Sequence, residues 1–147
     1  MKLSTRTRYG TRALAELALA YPDNMLSAKD MADKQDISPK YLEQIMSSLR
    51  AAGLVISRRG LHGGYALARA PEDITVSDIY NSLEGSEAPV DCIADGQECP
   101  LEPICPAQKT WREVRDSIRE VLEATSLKEL AERLEEKHRN PPPMYHI

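Results

Sequence analysis

The dipeptide Ser38-Pro39 constrains the fold of this chain more than any other feature, because it marks where a helix begins. A serine hydroxyl caps free amides of the first turn, and proline at the first helical position loses no donor that the helix needs. From there Leu42, Ile45, Met46, Leu49 and Ala52 form an apolar stripe at helical spacing, and Gly53 is placed to end the helix with a left-handed residue. Upstream, Ser27 with Asp30 resembles a capping box and starts a short helix through Met31 and Ala32 to about Lys34, with Asp36, Ile37 and Ser38 as the connection. Two helices joined by a short turn, the second longer and better capped, make a helix-turn-helix candidate.

The flanking segments fit that unit. Tyr9, Ala13, Leu14, Leu17, Ala18 and Tyr21 recur at helical spacing, so residues 5–21 are expected to form a first amphipathic helix, with Ser4 or Thr5 as its cap and Pro22 as its stop. After Gly53, the β-prone stretches 54–57 and 65–68 enclose Arg58-Arg59-Gly60-Leu61-His62-Gly63-Gly64, which predicts a hairpin with a basic tip: a wing. A short helix follows from Val76 to Gly85. Further on, Trp111, Val114, Ile118, Val121 and Leu122 keep a spacing of threes and fours, and predict a helix of about 16 residues. Ser126 with Glu129 caps a last helix carrying Leu127, Leu130, Ala131 and Leu134, and Asn140-Pro141-Pro142-Pro143 ends regular structure ahead of a mobile tail.

Between the fourth and fifth of these helices stand the three cysteines of the chain, Cys92, Cys99 and Cys105. An odd, local set is a poor disulfide framework and points instead to a metal or redox site. Thiolates are soft donors suited to iron-sulfur clusters and zinc. Pro100 and Pro106, each directly after a cysteine, stiffen the loop and limit the entropy lost on ligation. A fourth donor is open among Gln108, the carboxylates of Asp91, Asp95, Glu98 and Glu102, and His138 or His146; an exogenous thiol or water is open too.

The net charge of −4 divides unevenly. Residues 1–69 hold 11 Lys and Arg against 6 Asp and Glu, and residues 70–147 hold 8 against 17. The basic half suits a polyanion, since Lys and Arg on phosphates release counterions. Lys40, Tyr41, Glu43 and Gln44 fall in the first turns of the second helix, the part of a helix-turn-helix that meets base edges. Arg58 and Arg59 on the wing suit the negative potential of a narrow minor groove. No nucleophile-base constellation or phosphate loop argues for an enzyme. No apolar run approaches the ~20 residues that cross a bilayer, and the charged first 20 residues are unlike a signal peptide; a cytoplasmic protein is expected.

The run from Ile37 to Met46, then Leu49-Arg50, Ala52-Gly53-Leu54-Val55, Arg59-Gly60 and Gly63-Gly64-Tyr65, with Met1-Lys2-Leu3-Ser4 and Arg8-Tyr9 at the start, resembles the IscR, NsrR, RirA and CymR family of bacterial winged-helix regulators. The resemblance covers nearly the whole chain. It implies a mainly α fold with a small β-hairpin wing: a winged helix-turn-helix domain over residues 1–85, a cysteine sensor loop over 86–106, dimerisation and C-terminal helices over 107–137 and a flexible tail over 138–147. It also implies a homodimeric transcriptional regulator of an imperfectly palindromic double-stranded DNA operator. The DNA-contacting set then includes Ser38, Arg50 and Gly60 beside Lys40, Tyr41, Glu43, Gln44, Arg58 and Arg59, and the seam of the dimer is Trp111, Val114, Ile118, Val121 and Leu122. The three cysteines are implied to hold an iron-sulfur cluster, 2Fe-2S ahead of 4Fe-4S. Where well-known members place a ligating histidine three residues after the last cysteine, this chain has Gln108. Where NsrR-type members supply an acidic residue from the partner's first helix, it has Arg8. The alternative within the same family is a cluster-free, CymR-like regulator controlled by a protein partner and thiol oxidation.

Overall fold

The computed structural model describes residues 3–141, so Met1 and Lys2 of the opening motif and residues 142–147, including His146, lie outside the described residues. Six helices and one hairpin follow in the order α1 (Thr5–Ala20), α2 (Ala28–Gln35), α3 (Pro39–Ala51), β1 (Val55–Arg58), β2 (Gly64–Leu67), α4 (Val76–Glu84), α5 (Gln108–Ala124) and α6 (Leu127–Arg139), with short 3-10 turns at 71–73, 91–93 and 102–104.

Local chemistry explains most of the boundaries. Ser4, Ser27, Ser38 and Ser126 each accept a hydrogen bond from the backbone N–H three residues on, at 3.0 to 3.2 Å. Among the described residues the one reciprocal capping box is elsewhere: Thr75 accepts from the Asp78 N–H at 3.1 Å while the Asp78 carboxylate accepts from the Thr75 N–H at 3.0 Å. Helix α3 ends as its sequence requires, with Gly53 at φ +75 and the N–H groups of Gly53 and Leu54 returning to Arg50 and Leu49, the Schellman pattern. The strands are displaced by one residue from their expected places, because Arg58 pairs in register with Gly64 and so closes β1 instead of starting the tip. Helix α6 also runs two residues further than expected. Lys137, His138 and Arg139 lie in its last turn, where positive side chains complement the negative end of the helix dipole, and the Asn140 N–H reaches back to Glu136.

One core gathers α1, α2, α3, the hairpin, α4 and the start of α6. Leu14, Leu17, Met31, Leu42, Ile45, Met46, Leu49, Leu54, Ile74, Ile79 and Leu127 are fully buried in it. Gly10 permits a close crossing of α1 with α3 and α4, since a Cβ there would stand 2.6 Å from Leu83 Cδ1 and 3.2 Å from Ile45 Cγ2. Two isolated bridges tie connections to this body. Leu26 and Tyr65 exchange backbone hydrogen bonds at 2.9 and 2.8 Å and fix the wing to the α1–α2 connection. Thr75 and Ser126 pair likewise, with Val76 N–H on Thr125 O at 2.9 Å and Leu127 N–H on Ile74 O at 2.7 Å. The chain thus leaves the body after Gly85, runs out through the cysteine loop and α5, and is sewn back at Ser126. Helix α5 contributes no buried side chain to the core.

Candidate nucleic-acid interface and cysteine loop

Because Leu42, Ile45, Met46 and Leu49 are buried, the opposite face of α3 is turned outward by the 3.6-residue period, and Lys40, Glu43, Gln44 and Arg50 are exposed on it. Ser38 is engaged as the cap of α3. Tyr41 is half-buried, its ring edge-on to Tyr9 at 6.1 Å, so its ring is held by packing. The Arg50 guanidinium donates to Ser57 Oγ at 3.0 Å and braces the helix against β1. Arg59, Gly60, Leu61 and His62 form the exposed tip, with Gly60 at φ +109 in open space, while Arg58 is exposed at the strand end.

Two contributors to this surface were not singled out from the sequence. Tyr65 reads as an ordinary strand residue, yet it stands between wing and helix. Loss of water and then the negative charge of Glu43 push its hydroxyl above its ordinary range, with Arg50 acting in the opposite direction. Arg6 donates to Ser48 Oγ and ties α1 to α3. Neither contact is visible in the sequence, although Tyr65 stands in the Gly63-Gly64-Tyr65 motif, because each depends on elements that meet only in three dimensions.

The cysteine loop is fastened to α5 by arginines. Arg115 donates to the Ile93 carbonyl at 2.8 Å, and Ile93 itself is buried beside the exposed Cys92. Arg119 bridges Asp95 Oδ2 at 2.6 Å and the buried carboxylate of Glu87, and Arg112 holds Glu102 at 2.9 Å. A buried carboxylate needs such a partner, since an uncompensated charge out of water is costly. Of the candidate fourth donors, Asp95 and Glu102 are engaged in ion pairs. His138 is placed elsewhere, on α6 facing α1 and the end of α2.

Cys92 is exposed, and Cys99 and Cys105 are half-buried, all three as free thiols. Local loss of water, then the charge and hydrogen bonding of Cys99, and then the charge of Cys105 push the Cys92 thiol up. The Cys92 thiol therefore feels both of the others, and a bound cation would relieve the repulsion that disfavours its thiolate. Even so, among the described residues no set of three or more His, Cys, Asp or Glu side chains is gathered closely enough to hold a metal ion as it stands. Gln108, at the start of α5, has its Nε2 buried without a hydrogen-bond partner.

The expected seam residues lie along α5. Trp111, Val114 and Val121 are 39%, 37% and 66% exposed, and Ile118 and Leu122 are half-buried. No helix among the described residues is long and apolar enough to cross a membrane.

Comparisons with known proteins agree with this geometry. A family model described as Rrf2, iron-dependent transcriptional regulator, matches residues 3–133. The protein rrf2 of Nitratidesulfovibrio vulgaris is 42% identical over 130 residues, 88% of this chain and 87% of that one. Among solved structures, CymR, the global cysteine regulator of B. subtilis, superposes with a TM-score of 0.75 at 41% identity, over 90% of this chain and 98% of its own. T. potens IscR gives a TM-score of 0.75 at 36% identity, over 99% and 95%.

Proposed function

The chain belongs to the Rrf2 family of transcriptional regulators, and from that premise we propose that it is a homodimer whose binding to an imperfectly palindromic DNA operator is controlled by an iron-sulfur cluster on Cys92, Cys99 and Cys105. It is a regulator and not an enzyme. The observation that carries the reading is the arginine clamp: Arg115 and Arg119 bind the cysteine loop to α5, a helix that buries no residue and leaves Trp111, Val114 and Val121 exposed.

Three soft thiolate donors suit such a group by their chemistry, although they are not gathered around one point as they stand. Cys92, Cys99 and Cys105 would hold the cluster, which when bound supplies an oxidant-sensitive charged centre. The fourth position is left to Gln108, Asp91, Glu98, His146 or an exogenous thiol or water. The rest belongs to the chain. A loop ordered about its thiols holds Ile93 and Asp95 against Arg115 and Arg119, and α5 is then held at one angle to the body. In a dimer joined through α5, that angle sets the spacing of the two α3 helices, which must meet half-sites on the order of 34 Å apart. Lys40, Glu43 and Gln44 would read base edges, Glu43 as an acceptor from cytosine N4, and Arg58 and Arg59 would follow the minor groove.

A second reading, CymR-like control by a protein partner and thiol oxidation without a cluster, is favoured by the ungathered donor set and by the Cys92 and Cys99 thiols acting on one another. Anaerobic purification and reconstitution separate the two. We expect a brown protein with visible absorption that Cys92→Ala, Cys99→Ala and Cys105→Ala each abolish while the dimer persists. A colourless wild-type protein after reconstitution rejects the cluster in favour of the second reading.

A further inference from the structure

Helix α6 leaves a space against α1. Between them, closed at one end by the turn from α2 to α3, runs an open groove of about 650 Å³, inside the roughly 300–1,000 Å³ of small-molecule sites. Its floor is apolar: Ala15 on α1, with Leu130 and Leu134 on α6, all packed on the core. Around it stand four basic side chains, Arg12, Lys34, Arg133 and Lys137, against two acidic ones, Glu16 and Asp36. Lys34 is held by Glu16 at 2.6 Å and Arg133 by Glu129. Arg12 and Lys137 form no ion pair among the described residues.

Gln35 lines the same groove, and both its amide atoms, Oε1 and Nε2, are shut from water without a hydrogen-bond partner. Buried amides are normally paired, because an unpaired one forfeits its bonds to water and receives nothing in return. Nothing in the DNA-facing surface or the cysteine loop uses these residues.

We propose that the groove binds a small amphipathic carboxylate, with its aliphatic body over Leu130 and Leu134, its charge met by Arg12 and Lys137, and the Gln35 amide turned to hydrogen-bond it. Excess positive charge around an apolar floor selects this class over neutral or cationic molecules. Gln35 and Asp36 end α2 at the turn into α3, so an occupant would connect α6 to the recognition helix. That consequence rests on the regulator reading, whereas occupancy itself is measured without DNA.

The test is a titration of the isotope-labelled full-length protein with octanoate, followed by NMR. We expect saturable shifts confined to the facing parts of α1, α2 and α6, including the Gln35 side-chain amide. Reversing both free cations, Arg12→Glu with Lys137→Glu, should weaken binding about tenfold or more. Gln35→Leu replaces an unpaired amide with an apolar group of similar size, so it should keep the fold while weakening binding. Octanol binding as tightly as octanoate, shifts centred on Trp111 and Val121, unchanged affinity in the double charge reversal, or no saturable shift at all would each overturn the proposal.

Discussion

The body formed by α1 to α4 and the arm formed by the cysteine loop and α5 are built on opposite principles. In the body every long helix starts with a side-chain cap, and residues such as Leu42, Ile45 and Leu49 are fully removed from water. In the arm, α5 begins at Ala107 without a side-chain cap and buries no residue, although Trp111, Val114, Ile118, Val121 and Leu122 share one stripe. Within the arm the fastening is polar, with Arg115 and Arg119 holding the loop to α5, while α5 packs against α4 and the backbone exchange at Thr75 and Ser126 ties its end to the body. Hydrophobic burial is roughly proportional to area and indifferent to direction, whereas ion pairs at a surface are individually weak and sensitive to conditions. The body is therefore suited to present α3 rigidly. The arm is suited to be moved.

The sharpest way to break this contrast is to deny the arm its partner. Val114→Lys with Val121→Lys places two charges in the expected seam, and sedimentation should find monomer in place of dimer while circular dichroism still reports a folded body. A wild type already monomeric at working concentration would dismiss the seam. In the body, Ile45→Ala should cost about 2–5 kcal/mol, because it removes apolar contacts and leaves a cavity. Urea unfolding measures that, and a loss as small as that of a surface substitution would mean that the core is not where stability resides.

Smaller effects refine the picture. Arg119→Met removes one of the two arginines on Asp95 and leaves the Glu87 carboxylate buried without its partner, so alkylation of the loop cysteines should quicken; unchanged alkylation would show that the clamp does not order the loop. Ser38→Ala should cost about 1 kcal/mol through the lost cap of α3. The least effect concerns pH. Burial raises the Glu84 pKa, but hydrogen bonds from Ser4 and Thr7, with Arg6 nearby, outweigh it and hold the carboxyl below its ordinary 4.5. A lowered folded value means that the stabilisation is complete above the ordinary range and is lost as pH falls through the folded value. Urea midpoints should drop across that acid window, and Glu84→Gln should flatten the drop.

What could be read in advance follows the same division. Ser38-Pro39, the stripe from Leu42 to Leu49 and Gly53 located α3 within a residue, because caps, periodicity and a left-handed stop are all local. The wing was placed one residue off, since the register that pairs Arg58 with Gly64 is decided across the hairpin, with Tyr65 bonded to Leu26. Asp95, Glu102 and His138 looked alike as spare ligands along the chain. Their separate fates, two in ion pairs with α5 and one on the α1–α6 groove, depend on which helices come together.

By itself, the sequence determined the family, the six helices and the wing, and the presence of three thiols on one stiffened loop, because each of these is written in residues near one another along the chain. Tertiary structure alone decided that Arg115 and Arg119 hold the loop to α5, that Tyr65 meets Glu43 and Arg50, and that Gln35 is left unpaired beside a groove. Charge and hydrogen-bond pairing act over a few ångströms in space and are blind to separation along the chain, so only the folded arrangement determines which partners meet.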